Sequence, residues 1–305
     1  MSKALKILSR PKGNAEEYGR WSVNPYIGCS NNCGYCFLKK GPSGAYLGQD
    51  KPVLKKGVVN EEHAYHLAMA EIIANRDEII RDGGLFVTFT SDPCAKETRD
   101  LFFRIVADCA GYRMTPKDKI IPCTLLTKCA DFCGYDIEIV DNDEKFDRVR
   151  AWDSHFGLFS PEIFRDRLAI GFTLTGHDEL EPNASPNAER IKAMKWLSER
   201  KYNVWASIEP IIDFPSALDM VYQALNAGCQ HFKIGLLTNN TRVCRDKYDV
   251  NDCLHFIEDV MRMTADKATV YWKQSVRDLL GPDLEFHIDI DEHSVDKDWS
   301  MFNHK

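Results

Sequence analysis

The stretch NPYIGCSNNCGYCFLKK, residues 24–40, places three cysteines close together in a single loop. Cys29, Cys33 and Cys36 follow the spacing CxxxCxxC, and glycines stand beside two of them. Small and turn-forming residues let the backbone curl around a compact inorganic centre. Thiolates are the usual ligands of iron–sulfur clusters, and a [4Fe-4S] cubane takes four. Three neighbouring thiolates therefore predict a cluster with one iron open to a small-molecule ligand.

Other metal sites are compatible with parts of the cysteine pattern. Zinc is the main alternative for the loop. Tetrahedral zinc sites, however, typically use paired CxxC-type hooks and need a fourth ligand from the chain. A second group, Cys123, Cys129 and Cys133, could bind an auxiliary cluster if a fourth ligand came from elsewhere. Cys129 and Cys133 are one helical turn apart, so small buried side chains in a helix are the alternative there.

The composition is that of a globular protein. The chain has 305 residues, of which 44% are hydrophobic and 28% charged. Its longest apolar runs are far shorter than the roughly 20 residues that span a bilayer. The N-terminus lacks the uninterrupted apolar core of a signal peptide. We therefore expect a cytoplasmic protein without a membrane segment, whose eleven cysteines are reduced and free to bind metal.

Short apolar runs alternate with amphipathic stretches along the chain. The predicted strands are residues 85–90, 120–127, 168–175, 204–208 and 231–237, with a sixth around 22–27 and a short closing strand after Thr269. The predicted helices are residues 61–81, 96–109, 184–200, 215–227 and 250–264. Continuous apolar strands are typical of parallel sheets covered on both faces. Repeated βα units predict an α/β fold, either a partial (β/α) barrel or an open sheet.

Three domain segments follow from this pattern. Residues 1–20 are predicted to be an N-terminal extension, residues 21–275 the core domain and residues 276–305 a C-terminal tail. The acidic run near residue 141 predicts an exposed insertion. Polar residues follow several of the apolar strands, and the carboxyl ends of barrel strands are where ligand contacts arise. These polar residues include Ser91, Asp92, Lys128, Thr175 and Glu209.

The cysteine motif followed by Phe37 resembles the signature of the radical S-adenosylmethionine (SAM) superfamily. The ordered segments FTSDP, LLTK, GFTLT, EPNASPNAER and SIEPII resemble spore photoproduct lyase and related DNA-repair photolyase-like proteins, over about residues 22–237. This resemblance implies a partial (β/α)6 barrel of the radical SAM type. It also implies an enzyme whose open iron binds SAM, and whose reduced cluster cleaves SAM to a 5′-deoxyadenosyl radical.

The resemblance assigns roles to the strand-end residues. Ser91 and Asp92 would bind the amino end of SAM, and Lys128 would approach its carboxylate. Thr173 or Thr175 would contact the ribose or the carboxylate, and Glu209 would lie near the adenosyl group or the substrate. An ion pair between Lys128 and Glu209 at the barrel mouth, without ligand contact, is the alternative for those two residues.

One departure from the resemblance concerns the hydrogen donor. Spore photoproduct lyase has a hydrogen-donating cysteine where this chain has Phe89, which places thymine-dimer reversal in doubt. Cys94 is the candidate substitute donor and catalytic residue, together with Glu209, and a buried structural thiol is the alternative for Cys94.

The expected partners are SAM, an electron donor of the flavodoxin or ferredoxin type, and a nucleic-acid or nucleotide-like substrate. The net charge of −7 gives no overall attraction to nucleic acid, although lysines gather between residues 39 and 56. Those lysines could equally belong to a solvated loop. A radical SAM enzyme that modifies a peptide or protein, and a cluster-bearing SAM-binding module without turnover, are the alternative functions.

Overall fold

A computed structural model describes residues 5–40, 44–111, 119–133, 167–238 and 247–281. The described strands are β1 (Leu8–Ser9), β2 (Ser22–Val23), β3 (Tyr26–Ile27), β4 (Val53–Leu54), β5 (Leu85–Val87), β6 (Cys123–Thr127), β7 (Leu168–Thr173), β8 (Asn203–Ile211), β9 (His231–Leu236) and β10 (Thr269–Trp272). The described helices are α1 (Gly44–Leu47), α2 (Glu61–Ala74), α3 (Arg76–Arg81), α4 (Arg99–Val106), α5 (Asn187–Glu199), α6 (Phe214–Asn226), α7 (Val250–Thr264) and α8 (Gln274–Leu280).

Eight of these strands form one sheet in the order β1-β2-β5-β6-β7-β8-β9-β10. All neighbouring pairs from β2 to β10 are parallel, and β1 pairs antiparallel with β2 at one edge. The predicted closing strand is confirmed as β10. Strands β3 and β4 form a separate antiparallel pair that brackets the cysteine loop. Parallel strands joined through helices bring their carboxyl ends to one side, where a ligand site can form.

Local chemistry explains where several elements begin and end. The Asn60, Asp213 and Asp249 side chains accept hydrogen bonds from the first-turn amides of α2, α6 and α7, as helix caps do. The predicted strand 85–90 ends early because Thr88 has a φ of +61°, a conformation that ordinary strand residues do not adopt. The Asn24 side chain then accepts the Phe89 amide at 2.7 Å, which fixes the turn.

The core has two parts, one between the helices and the sheet and one inside the barrel. Phe86 and Trp205 fill the interior, with Tyr18, Phe89 and Leu126 packed around them. The Trp205 ring lies directly on β7, where a Cβ at residue 171 would stand 2.1 Å from the ring. Only glycine leaves that space.

The segment between β1 and β2 crosses to the opposite edge of the sheet. The Glu17 carboxylate accepts a hydrogen bond from the Gln274 amide at 2.7 Å and one from the Tyr271 hydroxyl at 3.3 Å, both beside β10. The Asn14 amide group donates to the Thr238 hydroxyl at 3.3 Å, beyond β9. This segment therefore covers the gap between the first and last strands.

The division into residues 1–20, 21–275 and 276–305 stays a prediction. Strand β1 lies within the predicted extension and joins the main sheet. Most of the predicted insertion after Cys133 and the tail beyond Gly281 lie outside the described residues. Among the described helices, none is long and apolar enough to cross a membrane.

Candidate functional site

A cavity of about 430 Å³ lies at the carboxyl ends of the parallel strands. Its wall combines the cysteine loop with residues that lie toward the carboxyl ends of strands β5 to β9 or directly after strands β5, β6, β9 and β10. Eight of the residues predicted from the sequence line it: Cys29, Cys33, Cys36, Ser91, Asp92, Lys128, Thr173 and Glu209. The fold thus brings the three thiols and most of the strand-end polar groups to one space.

Backbone contacts hold the cysteine loop from two directions. On one side, the Cys29 amide donates to the Gln49 carbonyl at 3.0 Å. On the other side, the Gly34 amide donates to the Leu180 carbonyl at 2.9 Å, and the Asn183 side chain donates to the Ser30 carbonyl at 3.0 Å. The loop is therefore shaped by segments that precede α2 and α5 as well as by its own turns.

The Asp92 carboxylate joins the cysteine loop to two strand ends. One oxygen accepts the Cys94 amide at 2.9 Å and the Thr127 hydroxyl at 2.5 Å. The other accepts the Asn31 side-chain amide at 2.7 Å and the Lys128 backbone amide at 2.8 Å. A carboxylate has about four acceptor positions, so these four bonds use its capacity. The Asp92 carboxylate therefore ties the cysteine loop to the segments that follow β5 and β6, and its predicted contact with the amino end of SAM stays a prediction.

Ser91 and Lys128 present polar groups to the cavity. The Ser91 hydroxyl is buried and has no hydrogen-bond partner among the described residues. Burial lowers the pKa of the Lys128 ammonium, but attraction to Cys33 and to Glu181 outweighs it, and the pKa is raised. Lys128 therefore carries a positive charge at neutral pH, and Ser91, in the wall of the same cavity, has unused hydrogen-bonding capacity.

A buried ion pair supports the cysteine loop from behind. Glu181 and Arg190 pair at 2.6 Å with both side chains fully buried. The Tyr35 hydroxyl, within the cysteine motif, donates to Glu181, and Arg190 donates to the Thr173 carbonyl at 2.8 Å. The two charged residues lie in the segment EPNASPNAER, but residue type and spacing gave no sign that they would meet Tyr35.

A polar network forms the far wall of the cavity. The Lys273 ammonium lies 2.7 Å from the Glu209 carboxylate, which also accepts a hydrogen bond from the Tyr18 hydroxyl. The Ser207 hydroxyl is 2.8 Å from that of Tyr18. Burial, and next the negative charge of Glu209, raises the pKa of Tyr18 well above its usual value, so the phenol keeps its proton. Glu209 therefore forms its ion pair with Lys273. The alternative predicted from the sequence was an ion pair between Glu209 and Lys128.

Comparison of the sequence with protein-family models and with curated proteins gives no match. A spore photoproduct lyase in which one cysteine is replaced by alanine superposes with a TM-score of 0.57, at 12% identity, over 89% of this chain and 80% of that chain. The chain has the fold of spore photoproduct lyase. The predicted α/β class, a partial barrel of the radical SAM type, is confirmed. SuiB from Streptococcus suis, bound to S-adenosylmethionine, gives a TM-score of 0.47 at 14% identity over 82% of this chain and 49% of that chain.

The donors around the cavity fit the predicted cofactors. SAM carries an ammonium and a carboxylate, which the unpartnered Ser91 hydroxyl and the charged Lys128 complement. Burial, and next the charge of Asp92, raises the pKa of the Cys29 thiol to about 12, and burial raises that of Cys33. A bound metal deprotonates such thiols outright.

Zinc and an iron–sulfur cluster require different arrangements of the three thiols. Among the described residues, no three His, Cys, Asp or Glu side chains are close enough to hold one metal ion. Zinc draws four ligands to within about 2.3 Å of a single ion. In a cubane each thiolate binds a different iron. The cluster on Cys29, Cys33 and Cys36 stays a prediction from the sequence.

Two of the predicted site residues lie away from the cavity wall. Cys94 is 1% exposed in the core, and burial raises the pKa of its thiol well above its usual value. The Thr175 amide donates to the Asn187 side chain at 3.1 Å, and its hydroxyl accepts the His177 amide at 3.2 Å. Phe89 does line the cavity, stacked on Phe86 at 4.2 Å between ring centroids. The position without a cysteine is therefore an aromatic part of the wall.

The second cysteine group is divided between the two ends of one strand. Cys123 begins β6 and lies beside Cys109, whereas Cys129 follows the carboxyl end of the same strand. A strand of this length separates its ends by roughly 13 Å at 3.3 Å per residue. Cys123 therefore does not share a cluster with Cys129 and Cys133.

Proposed function

We propose that this protein is a radical SAM enzyme that binds a [4Fe-4S] cluster on Cys29, Cys33 and Cys36. One observation carries the proposal: the three thiols, the unpartnered Ser91 hydroxyl and the Lys128 ammonium line one cavity at the strand ends of the matching fold. When bound and reduced, the cluster supplies the electron that cleaves SAM to methionine and a 5′-deoxyadenosyl radical.

The residues of the cavity have separate tasks in this proposal. Ser91 accepts a hydrogen bond from the amino group of SAM, and Lys128 pairs with its carboxylate. Asp92 does not touch the ligand but fixes the distance between the cysteine loop and Lys128. Glu209, held by Lys273 and Tyr18, orients a polar group of the adenosyl moiety or the substrate. Buried walls keep water from reactive species, as radical chemistry requires.

The substrate we propose is nucleic-acid or nucleotide-like. The cavity has an aromatic side formed by Phe86, Phe89 and Tyr18, which suits a planar ring, and a polar side at Ser207 and Glu209, which suits hydrogen bonding to it. The shared fold with spore photoproduct lyase supports the same class. Because Phe89 replaces the hydrogen-donating cysteine, we propose a reaction other than thymine-dimer reversal.

Anaerobic reconstitution tests the enzyme directly. The protein is loaded with iron and sulfide, mixed with SAM and dithionite, and assayed by chromatography for 5′-deoxyadenosine. We expect release from the wild type and from Cys253→Ala, a buried cysteine in α7 far along the chain, and none from Cys33→Ala. An intact cluster that binds SAM but never cleaves it would instead indicate a binding module. Release stimulated by a peptide and not by a nucleotide would move the substrate to the peptide class.

A further inference from the structure

The segment between β7 and α5 contacts the cysteine loop from one side. We call residues 177–185 the bridge segment. The Leu180 carbonyl in this segment accepts a hydrogen bond from the Gly34 amide at 2.9 Å. The Asn183 side chain donates to the Ser30 carbonyl at 3.0 Å. The conformation of the cysteine loop therefore depends on where the bridge segment lies.

The bridge segment begins at His177, and each of the two ring nitrogens of this residue lies beside a carboxylate. Nδ1 is 2.6 Å from a Glu179 oxygen, and Nε2 is 2.6 Å from an Asp213 oxygen. A neutral imidazole has a single N–H, so it can donate to only one of these carboxylates. The positively charged imidazolium donates to both. The geometry therefore indicates a protonated ring.

Asp213 fixes one end of this contact to helix α6. Its carboxylate accepts the Ser216 amide at 2.8 Å and the Ser216 hydroxyl at 3.1 Å, as the cap of that helix. Helix α6 in turn packs against β8. The His177 side chain is 20% exposed, so water has limited access to the ring. The start of the bridge segment is thus held by an element that belongs to the core of the fold.

Two backbone hydrogen bonds connect His177 to the cysteine loop. Asp178–Leu180 form one turn of 3-10 helix, in which the Leu180 amide donates to the His177 carbonyl at 3.1 Å. The carbonyl of the same Leu180 accepts the Gly34 amide. Gly34 directly follows Cys33 in the chain. A shift of His177 would therefore be transmitted to the backbone beside a cluster ligand.

We propose that His177 is a positioning residue of the cluster site: its charged ring binds the bridge segment to α6 and so holds the cysteine loop in the shape that retains the cluster. This inference rests on the proposed function, since it assumes that the loop binds a cluster. His177 is not among the residues that line the cavity, so it acts through the bridge segment and not by contact with a cofactor or substrate.

The charge of the ring makes this support dependent on pH. Burial lowers the pKa of His177, but the hydrogen bonds to Glu179 and Asp213 outweigh burial, and the pKa is raised above its usual value. The contact with both carboxylates is therefore complete below about pH 6.5, the usual pKa of histidine. One of the two bonds is lost as the pH rises through the higher pKa of the folded protein. Cluster retention should weaken over the same interval.

Replacement of His177 by glutamine tests the inference, because a side-chain amide donates to a carboxylate but does not become charged. His255→Gln, the same change at an exposed position of α7, is the matched control. Loss of cluster absorbance in excess EDTA is measured anaerobically on the reconstituted proteins at about pH 6 and about pH 9, on either side of the histidine titration. Hydrogen exchange of the cysteine-loop amides is measured on the cluster-free proteins at the lower pH.

At the lower pH, His177→Gln should lose its cluster and exchange its loop amides about fivefold faster than the wild type, the effect of one hydrogen bond. At the higher pH the wild-type ring is neutral, so the two proteins should lose the cluster at the same rate. His255→Gln should match the wild type throughout.

Three results would overturn the inference: equal cluster loss at the lower pH, an equal difference at both pH values, or unchanged exchange of the loop amides. A wild type that takes up no cluster would instead refute the proposed function. In that case the exchange of the cluster-free proteins would still show whether His177 positions the cysteine loop.

Discussion

Replacing Asp92 with asparagine tests whether this carboxylate stabilises the fold or binds the cofactor. The carboxylate accepts four hydrogen bonds, from Asn31, Cys94, Thr127 and Lys128. In Asp92→Asn, the new side-chain nitrogen must face either the donors of Cys94 and Thr127 or those of Asn31 and Lys128. The orientation that costs less free energy faces Thr127, because its hydroxyl can rotate and accept a hydrogen bond. That orientation still leaves the Cys94 backbone amide without a partner.

The magnitude follows from these contacts. A buried amide without a partner costs about 1–3 kcal/mol, and the remaining bonds lose the added strength of a charged acceptor. We therefore expect Asp92→Asn to lower the free energy of unfolding of the cluster-free protein by about 3 kcal/mol, measured in urea. If Asp92 were mainly a ligand of SAM, the same substitution would leave the stability of the cluster-free protein nearly unchanged.

The neighbouring Ser91 is the matched control. Its hydroxyl has no hydrogen-bond partner among the described residues, so Ser91→Ala should change stability by less than about 0.5 kcal/mol. It should weaken SAM binding to the cluster-loaded protein by about tenfold, the worth of one hydrogen bond. An Asp92→Asn protein as stable as the wild type, with weakened SAM binding, would refute the proposal that Asp92 stabilises the fold.

Three further outcomes are expected. Arg190→Met strands the buried charge of Glu181 and should cost about 3–5 kcal/mol of stability in urea, whereas a cost below about 1 kcal/mol would contradict a tight pair. Burial, and next the charge of Lys273, lowers the pKa of Lys233 to about 7. Above that pH the Lys233 amine is protonated in the unfolded chain but neutral in the folded protein. The stability difference between wild type and Lys233→Met should therefore shift in favour of the wild type by about 2 kcal/mol from pH 7 to 8.5, and a constant difference would refute it. Gly171→Ala places a methyl group against the Trp205 ring and should cost roughly 3 kcal/mol, seen as a lower Tm.

The sequence alone predicted those parts of the fold and the candidate site that depend on local sequence patterns. The CxxxCxxC loop and the polar ends of apolar strands meet at one cavity because parallel strands deliver their carboxyl ends to one side. Ser91 and Lys128 could be named in this way. Helix α7 has the predicted limits because its cap, Asp249, stands directly before an amphipathic run.

The rest of the site depends on contacts between distant segments. Tyr18 meets Glu209 across 191 residues, and Lys273 meets it across 64. Nothing in the type or spacing of these residues states that they pair. The same holds for Glu181, which a strand-end rule does not reach because it lies in a loop. The four hydrogen bonds of Asp92 were also hidden, since a carboxylate at a strand end can bind a ligand or satisfy buried amides equally well.

The most direct test is the electron paramagnetic resonance spectrum of the reduced, reconstituted protein, recorded with and without SAM. If Cys29, Cys33 and Cys36 hold a [4Fe-4S] cluster with one open iron beside Ser91 and Lys128, SAM should change the spectrum of the wild type and of Cys253→Ala. Cys33→Ala should show no cluster signal. A cluster spectrum that is identical with and without saturating SAM would contradict the account, because it would mean that no iron in this cavity is open to the ligand.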